Sequence, residues 1–196
     1  RIFSTSDAEA RGIEAIRQDR DAYDLPPGSP RPASLTQPVV FGAPLAVILD
    51  LPQLTEDHVA HHPLIAAHAR PWPGQMAVFR SPDLDGFDLL TTFSARARMG
   101  VLVADLHAGP GSRFDYGNVV YVDLLTGTLE SVTDLRLFRG ENSIAVEQPS
   151  GAWEVLQFAE AELIAPGRYR LSRLLRGQRG TDVDMAAMVP EGARVV

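Results

Sequence analysis

The sequence predicts an all-β fold: an antiparallel β-sandwich or barrel-like module with few short helices. Three observations carry that expectation. Runs of strand length recur about every 10–14 residues, with turn residues between them. No segment shows a compelling helical period over more than about two turns. The two clearest runs, WEVLQF at 153–158 and RYRLSRLL at 168–175, are separated by the turn signal Pro166-Gly167. In the first, Trp153, Val155 and Gln157 face one side, and Glu154, Leu156 and Phe158 the other. In the second, Tyr169, Leu171 and Arg173 oppose Arg168, Arg170, Ser172 and Leu174. Two such strands about a turn make a hairpin or a β-arch.

Taken in order, DAEARGIEAIRQDRDAY at 7–23 is ambiguous. Ala8, Ile13, Ile16 and Arg20 fit a helical face, and the composition favours a helix. Gly12 weakens it, and Ile13 and Ala15 alternating with Glu14 and Ile16 also fit a strand. LPPGSPRPASLTQP at 25–38 holds prolines at 26, 27, 30, 32 and 38, which fix φ and remove donors. It reads as a stiff linker and the clearest domain boundary. LAVILDL at 45–51 is a strand, and Thr55, Glu56 and Asp57 suit the start of a short helical turn. LIAAHARP at 64–71 and QMAVFRS at 75–81 flank the PWPG reversal and read as antiparallel neighbours, with Trp72 covering the end of a sheet. FDLLTTF at 87–93 follows a DLDG turn, and MGVLVADL at 99–106 is apolar enough for a central strand. HAGPGSRFDYGN at 107–118 is a turn-rich loop. NVVYVDLL at 118–125 leads through Thr126-Gly127 into TLESV at 128–132 as a hairpin; LRLFRG at 135–140 and IAVE at 144–147 form another. PSGA at 149–152 turns into the WEVLQF strand.

Bulk properties narrow the function. The 196 residues suffice for one or two domains, and 45% hydrophobic content supports a core without disulfides. Zero cysteines exclude disulfides, thiolate metal sites and cysteine nucleophiles. A net charge of −7 disfavours a general nucleic-acid binder. No lysine occurs, so the 18 basic residues are all arginine, which presents planar forks rather than point charges. No run approaches the roughly 20 apolar residues of a membrane span. The chain lacks a starting methionine and ends on the apolar run ARVV, so both ends read as cut from a longer polypeptide.

Few residues suggest chemistry. His58, His61, His62 and His68 cluster beside Glu56 and Asp57, and His107 stands apart. His58 and His62 would share a helical face, but the residues between them are VAH, so no glutamate stands at the general-base position of HExxH, and Pro63 cuts the helix short. No metal site is expected. Asp105, Asp115, Asp123, Glu130, Glu154 and Glu162 are available carboxylates, with nothing to pair them as a glycosidase would. Neither a G-x-S-x-G elbow nor a P-loop occurs. The expectation is a protein without catalytic residues or a cofactor. Phe114 and Tyr116 either form a contact surface or pack on their own sheet. In RGQRGT, Gly177 and Gly180 suit positive φ. Arg176 and Arg179 either pair with carboxylates of a neighbouring subunit or cap carbonyls within the domain. Trp72 and Trp153 complete the candidate interface residues.

The segments WEVLQF, LLRGQRGT, PWPGQMAVFRS at 71–81, LHAGP at 106–110, VDLLTGTLESV at 122–132 and IEAIRQDRDAY at 13–23 carry a resemblance. Together they resemble the C-terminal region of the large phage tail-tip hub protein, the gene transfer agent megatron. LLRGQRGT is the most specific segment. The resemblance implies that residues 1–24 end a preceding β-domain, with a strand over about 10–19, that 25–38 link, and that 39–196 form the β-rich hub domain. It implies a homotrimer contacting distal-tail, hub and fibre-type tail proteins, within a virion or particle tail tip assembled in the host cytoplasm. DNA would pass through the assembly without specific binding. The function expected is structural, in subunit assembly with host attachment or DNA delivery. The alternative is a module that binds cell-surface glycan, marked by aromatic side chains clustered on one exposed face.

Overall fold

The computed structural model describes residues 2–7, 11–15, 40–59 and 62–196. The chain divides into two compact units, Arg1–Val39 and Val40–Val196. In the first, β1 (Ile2–Asp7) pairs antiparallel with β2 (Arg11–Ala15), with Thr5 opposite Ile13. The strand expected over 10–19 therefore begins as a strand; its continuation, and the proline-rich 25–38, lie outside the described residues.

The second unit begins with two ribbons. β3 (Leu45–Leu49) pairs with β4 (Leu64–His68), Leu45 opposite His68 and Leu49 opposite Leu64. Alternation in LAVIL buries Val47 and Leu49 and exposes Ile48. β5 (Met76–Arg80) pairs with β6 (Asp88–Phe93). The expectation that 64–71 and 75–81 pair with each other is thus corrected. The apolar register of β4 matches β3, and the DLDG turn folds β6 back on β5.

A closed barrel follows. Its strands are β7 (Gly100–Leu102), β10 (Val120–Leu124), β11 (Ser143–Glu147), β12 (Trp153–Ala165), β13 (Arg168–Leu175) and β15 (Arg194–Val195). They run in the order β10-β7-β15-β11-β12-β13, and β13 closes the ring by pairing with β10, Val120 opposite Leu171. Every one of these pairings is antiparallel, and closure removes the exposed edges of an open sheet. β9 (Phe114–Asp115) adds to the end of β13. β8 (Leu106–His107) and β14 (Met188–Val189) form a short ribbon. The core holds Leu102, Val120, Val122, Ile144, Val146, Leu156, Phe158, Tyr169, Leu171 and Leu174, with Leu106 and Val189 from the short ribbon.

β12 is the strand on which most of this packs. Residues 153–159 are buried on both faces. Leu156 and Phe158 point into the barrel, while Trp153 packs outside against Val47, Leu49 and Ala66 of the β3–β4 ribbon. Farther along the outer face, Ala159 and Leu175 pack on Leu137 of α1 (Asp134–Phe138). The hairpin β12–β13 turns at Gly167, φ 75°, and then changes face midway. Tyr169 and Leu171 point inward, but Leu174, not Arg173, comes next. Arg173 takes a left-handed φ of 54°, which a long side chain adopts only where its surroundings hold it. The alternation read for RYRLSRLL is therefore corrected: Arg173 faces outward and Leu174 joins the core.

Three further segments depart from expectation. LRLFRG is helical rather than extended: Leu137 N donates to Thr133 O at 2.9 Å, and Gly140, φ 94°, ends the turn. TLESV forms no hairpin with β10, because β7 and β13 occupy both edges of β10. It leans on β12 instead, with Val132 N donating to Ala159 O at 2.8 Å and Ala161 N to Ser131 Oγ at 2.9 Å. MGVLVADL gives only the three residues of β7 before the chain bends to β8. At Gly100 the ring is tight, and an added Cβ would lie 2.4 Å from Asp123 O. Gly100→Ala is expected to destabilise the barrel by about 1–3 kcal/mol, because the obstruction is backbone. Urea unfolding checks this, and an unchanged midpoint would show that β7 and β10 separate freely.

Candidate interaction surface

Beyond Leu175 the chain enters RGQRGT and crosses one end of the barrel. Arg176 meets Glu154, the first inward residue of β12, and neither side chain retains exposed surface (0% and 0%). Arg176 Nε donates to Glu154 Oε1 at 2.7 Å and Nη2 to Oε2 at 2.9 Å, a bidentate pair. Nη1 donates to His107 O at 2.8 Å and lies 3.6 Å from Asp115 Oδ2. Glu154 accepts further bonds from Gly177 N at 3.2 Å and Gln148 Nε2 at 3.5 Å. Gly109 leaves room for this cluster: a Cβ there would lie 2.2 Å from Asp115 Oδ2 and 2.9 Å from Arg176 Cγ. Gly177, φ 57°, lets the chain turn hard against Asp182. Thr181 Oγ1 then accepts from Val155 N at 2.9 Å, past the point where β13 stops.

Asp115 is the second carboxylate of the cluster. Burial pushes its pKa up, but hydrogen bonds from the Asn118 side chain and from the Asn118 and Gly117 backbone, with the Arg176 charge, hold it below its ordinary value. These bonds run 2.7–3.0 Å.

Arg176 is therefore corrected as an interface residue. Its fork is used inside the domain, and the intradomain alternative describes it: it bonds a carboxylate and a backbone carbonyl. Trp153 is corrected likewise. It is buried beneath the β3–β4 ribbon, with the Arg194 guanidinium 5.8 Å from its ring centre. Trp72 is half-buried at the end of β6, where Nε1 donates to Ser94 O at 2.8 Å and the ring lies 6.3 Å from Phe93. Arg179 is exposed, with φ 61° and one bond from Nη2 to Leu54 O at 3.2 Å.

Phe114 and Tyr116 do come together, their ring centres 5.8 Å apart, and Phe138 joins them at 6.0 Å from Phe114. The Arg173 guanidinium stands 5.2 Å from the Phe114 ring centre and bonds Asp134 Oδ1 at 2.8 Å. Phe114 is half-buried, whereas Tyr116 is 72% and Phe138 66% exposed, beside the exposed Leu135. Phe138 and Arg173 were missed because one was read in a strand and the other on the face of Tyr169 and Leu171. The signals present were Thr133-Asp134 opening and Gly140 closing a helical turn.

The remaining candidates are dispersed. His58 Nδ1 accepts from Leu54 N at 3.3 Å, and His61 lies outside the described residues. His68 is buried with Nδ1 unpartnered; burial first, then the Arg96 and Arg70 charges, depress its pKa. Asp123 pairs with Arg168 at 2.6 Å, Glu162 with Arg170 at 3.5 Å, and Asp105 accepts from Glu191 N at 3.0 Å. Among the described residues no group of three metal-ligating side chains gathers, and no helix is long and apolar enough to cross a membrane.

These features define a small six-stranded β-barrel domain with a buried arginine–carboxylate plug and an exposed aromatic–arginine patch. Residues 97–196, which contain every barrel strand, match the family described as Rcc01698-like, C-terminal, and the chain belongs to that family. No curated protein matches it.

Two outcomes are expected. Arg176→Met leaves Glu154 buried and unpaired and should cost about 3–5 kcal/mol in urea unfolding, while Arg176→Met with Glu154→Leu recovers most of it. Equal losses in the two would show that the pair is uncoupled. Because the folded pKa of Asp115 is depressed, its contribution is complete above the ordinary value of 3.8 and is lost as pH falls through the folded value. The stability gap between wild type and Asp115→Asn should therefore close as pH drops below about 3.8; a gap constant down to pH 2 would overturn the assignment.

Proposed function

We propose that this chain is a structural docking segment of the tail tip of a phage-like or gene transfer agent particle. It acts as a hub domain that fits against copies of itself and against neighbouring tail proteins. Membership of the Rcc01698-like, C-terminal family supports the reading, as does the resemblance of LLRGQRGT and its flanks to the tail-tip hub protein. The observation that carries it is the patch of Phe114, Tyr116, Phe138 and Arg173 on a closed, stiff barrel. Aromatic and arginine side chains held in place by their own neighbours are the composition of interface hot spots, since little freedom remains to be lost on binding. The barrel offers rigidity because its backbone groups are paired around the ring. In this reading the assembly is a homotrimer, contacting distal-tail and fibre-type proteins, with DNA passing through unbound.

The same patch favours a second reading. Three aromatic rings on one exposed face suit a cell-surface glycan, and a tail tip meets the host surface. The packing of Phe114 between two rings and a guanidinium favours protein docking, since it leaves the Phe114 ring no open face for a sugar.

Particles carrying Tyr116→Ser with Phe138→Ser should assemble at least about tenfold less often, counted as intact tails by electron microscopy. The isolated chain should melt as before, because both side chains are exposed. Normal tails with lost attachment to host cells would select the glycan reading, and unchanged particles and attachment would overturn both.

A further inference from the structure

We propose that a polar cleft on the outer face of the barrel is a carboxylate-binding site for an acidic peptide segment of a partner protein. The cleft, about 560 Å³, lies between the loop at 54–58, the end of α1 and the turns at 178–179. Arg139 and Arg179 line it with Gln157, Gln178, Leu54 and Val155. It continues into a recess of about 430 Å³ that Arg139 and Arg179 also line.

The two arginines of the cleft have no carboxylate beside them. Among the described residues Arg136, Arg168, Arg170, Arg173, Arg176 and Arg194 each lie within 4 Å of a carboxylate. Arg139 and Arg179 do not, nor do Arg70, Arg80, Arg96, Arg98 and Arg113, but of these seven only Arg139 and Arg179 line the cleft, in a chain with a net charge of −7. Arg179 also holds a left-handed φ of 61° that glycine would adopt without strain. Two planar forks without a carboxylate line one cleft, Arg139 with no side-chain bond among the described residues and Arg179 with only Nη2 engaged, on Leu54 O at 3.2 Å, and such forks match carboxylates in bidentate geometry.

The rest of the lining selects a peptide. Gln157 gives its NH2 group to Leu137 O at 2.8 Å and Glu141 O at 2.7 Å, and Gln178 gives its own to Arg176 O at 3.1 Å. Both amide oxygens are left as acceptors, the complement of backbone N–H groups. Leu54 and Val155 offer apolar wall for aliphatic stems. A small inorganic anion would satisfy the forks and leave the volume empty. An acidic saccharide would meet the same forks but would present hydroxyls rather than amide donors to the two glutamine oxygens. Glu56 lines the outer recess and no carboxylate lines the inner cleft, although Glu141, whose pKa the Arg136 bond lowers first, lies near enough to Arg139 for that charge to lower it further.

The inference does not rest on the particle reading, since the chain in solution tests it. Fluorescence anisotropy with a fluorescein-labelled hexaglutamate peptide should show saturable binding that weakens with salt. Arg139→Gln and Arg179→Gln should each weaken it about tenfold, and the pair together more, with melting unchanged. Arg113→Gln, an exposed arginine outside the cleft, should leave it unaltered. The net charge repels a polyanion overall, so binding reports the local forks. No binding at moderate salt would overturn the proposal. So would equal weakening by Arg113→Gln, or tighter binding of an oligogalacturonate than of the peptide.

Discussion

The Arg176–Glu154 pair is the interaction on which the closed end of the barrel depends. Two charges with no exposed surface are costly to bury, and their attraction roughly offsets that cost only when every donor and acceptor is used. Here Glu154 accepts from both arms of the guanidinium, from Gly177 N and from Gln148. The remaining arm reaches His107 O. Three separate parts of the chain are thereby fixed to one another: the start of β12, the end of β13 and the β8 ribbon. The pair thus ties these three parts together, and Asp115 with its loop amides adds β9 to them.

Closure of the ring has a second consequence on the outside. The β12–β13 hairpin is too long to follow one barrel wall, and it changes face between Phe158 and Ala161 on one strand and between Leu171 and Leu174 on the other. The left-handed backbone at Arg173 is where the change is made. It costs local strain of order 1–2 kcal/mol, which the surroundings must hold. Asp134 and the face of Phe114 hold it. The exposed aromatic patch is thus positioned by the corner that lets the barrel close, and α1 supplies Phe138 because Gln157 anchors its last turn from the outer face of β12.

What the sequence disclosed follows from which signals are local. The β12–β13 hairpin was legible because alternation and Pro166-Gly167 agree within a few residues. The helical turn at 134–138 was misread because L-R-L-F alternates by chance, while Thr133-Asp134 and Gly140 spoke for a helix. The pairing of β10 was illegible because a turn at Gly127 predicts a local partner, whereas closure supplies Leu171 from 51 positions away by the register Val120 to Leu171. Arg176 was illegible for a different reason. A lone arginine reads as exposed, and only a partner makes it a core residue. The hairpin register held a clue, since Gln157 opposite Leu175 brings Arg176 alongside the Glu154–Leu156 end of β12.

RGQRGT therefore holds two arginines with opposite fates. Gly177 in the left-handed region brings the backbone against Asp182, where any Cβ would collide, and the chain reverses within one residue of the buried pair. Thr181 then takes the free amide of Val155, which would otherwise be a buried donor without a strand beside it. Between these two fixed points Gln178, Arg179 and Gly180 must lie outside. Arg176 is committed inward by the barrel, and Arg179 is turned outward by the same turn, beside Leu54 and the cleft. The glycines, the threonine and the inner arginine serve the fold; what RGQRGT leaves for a partner is the fork of Arg179, which among the described residues holds a backbone carbonyl but no carboxylate.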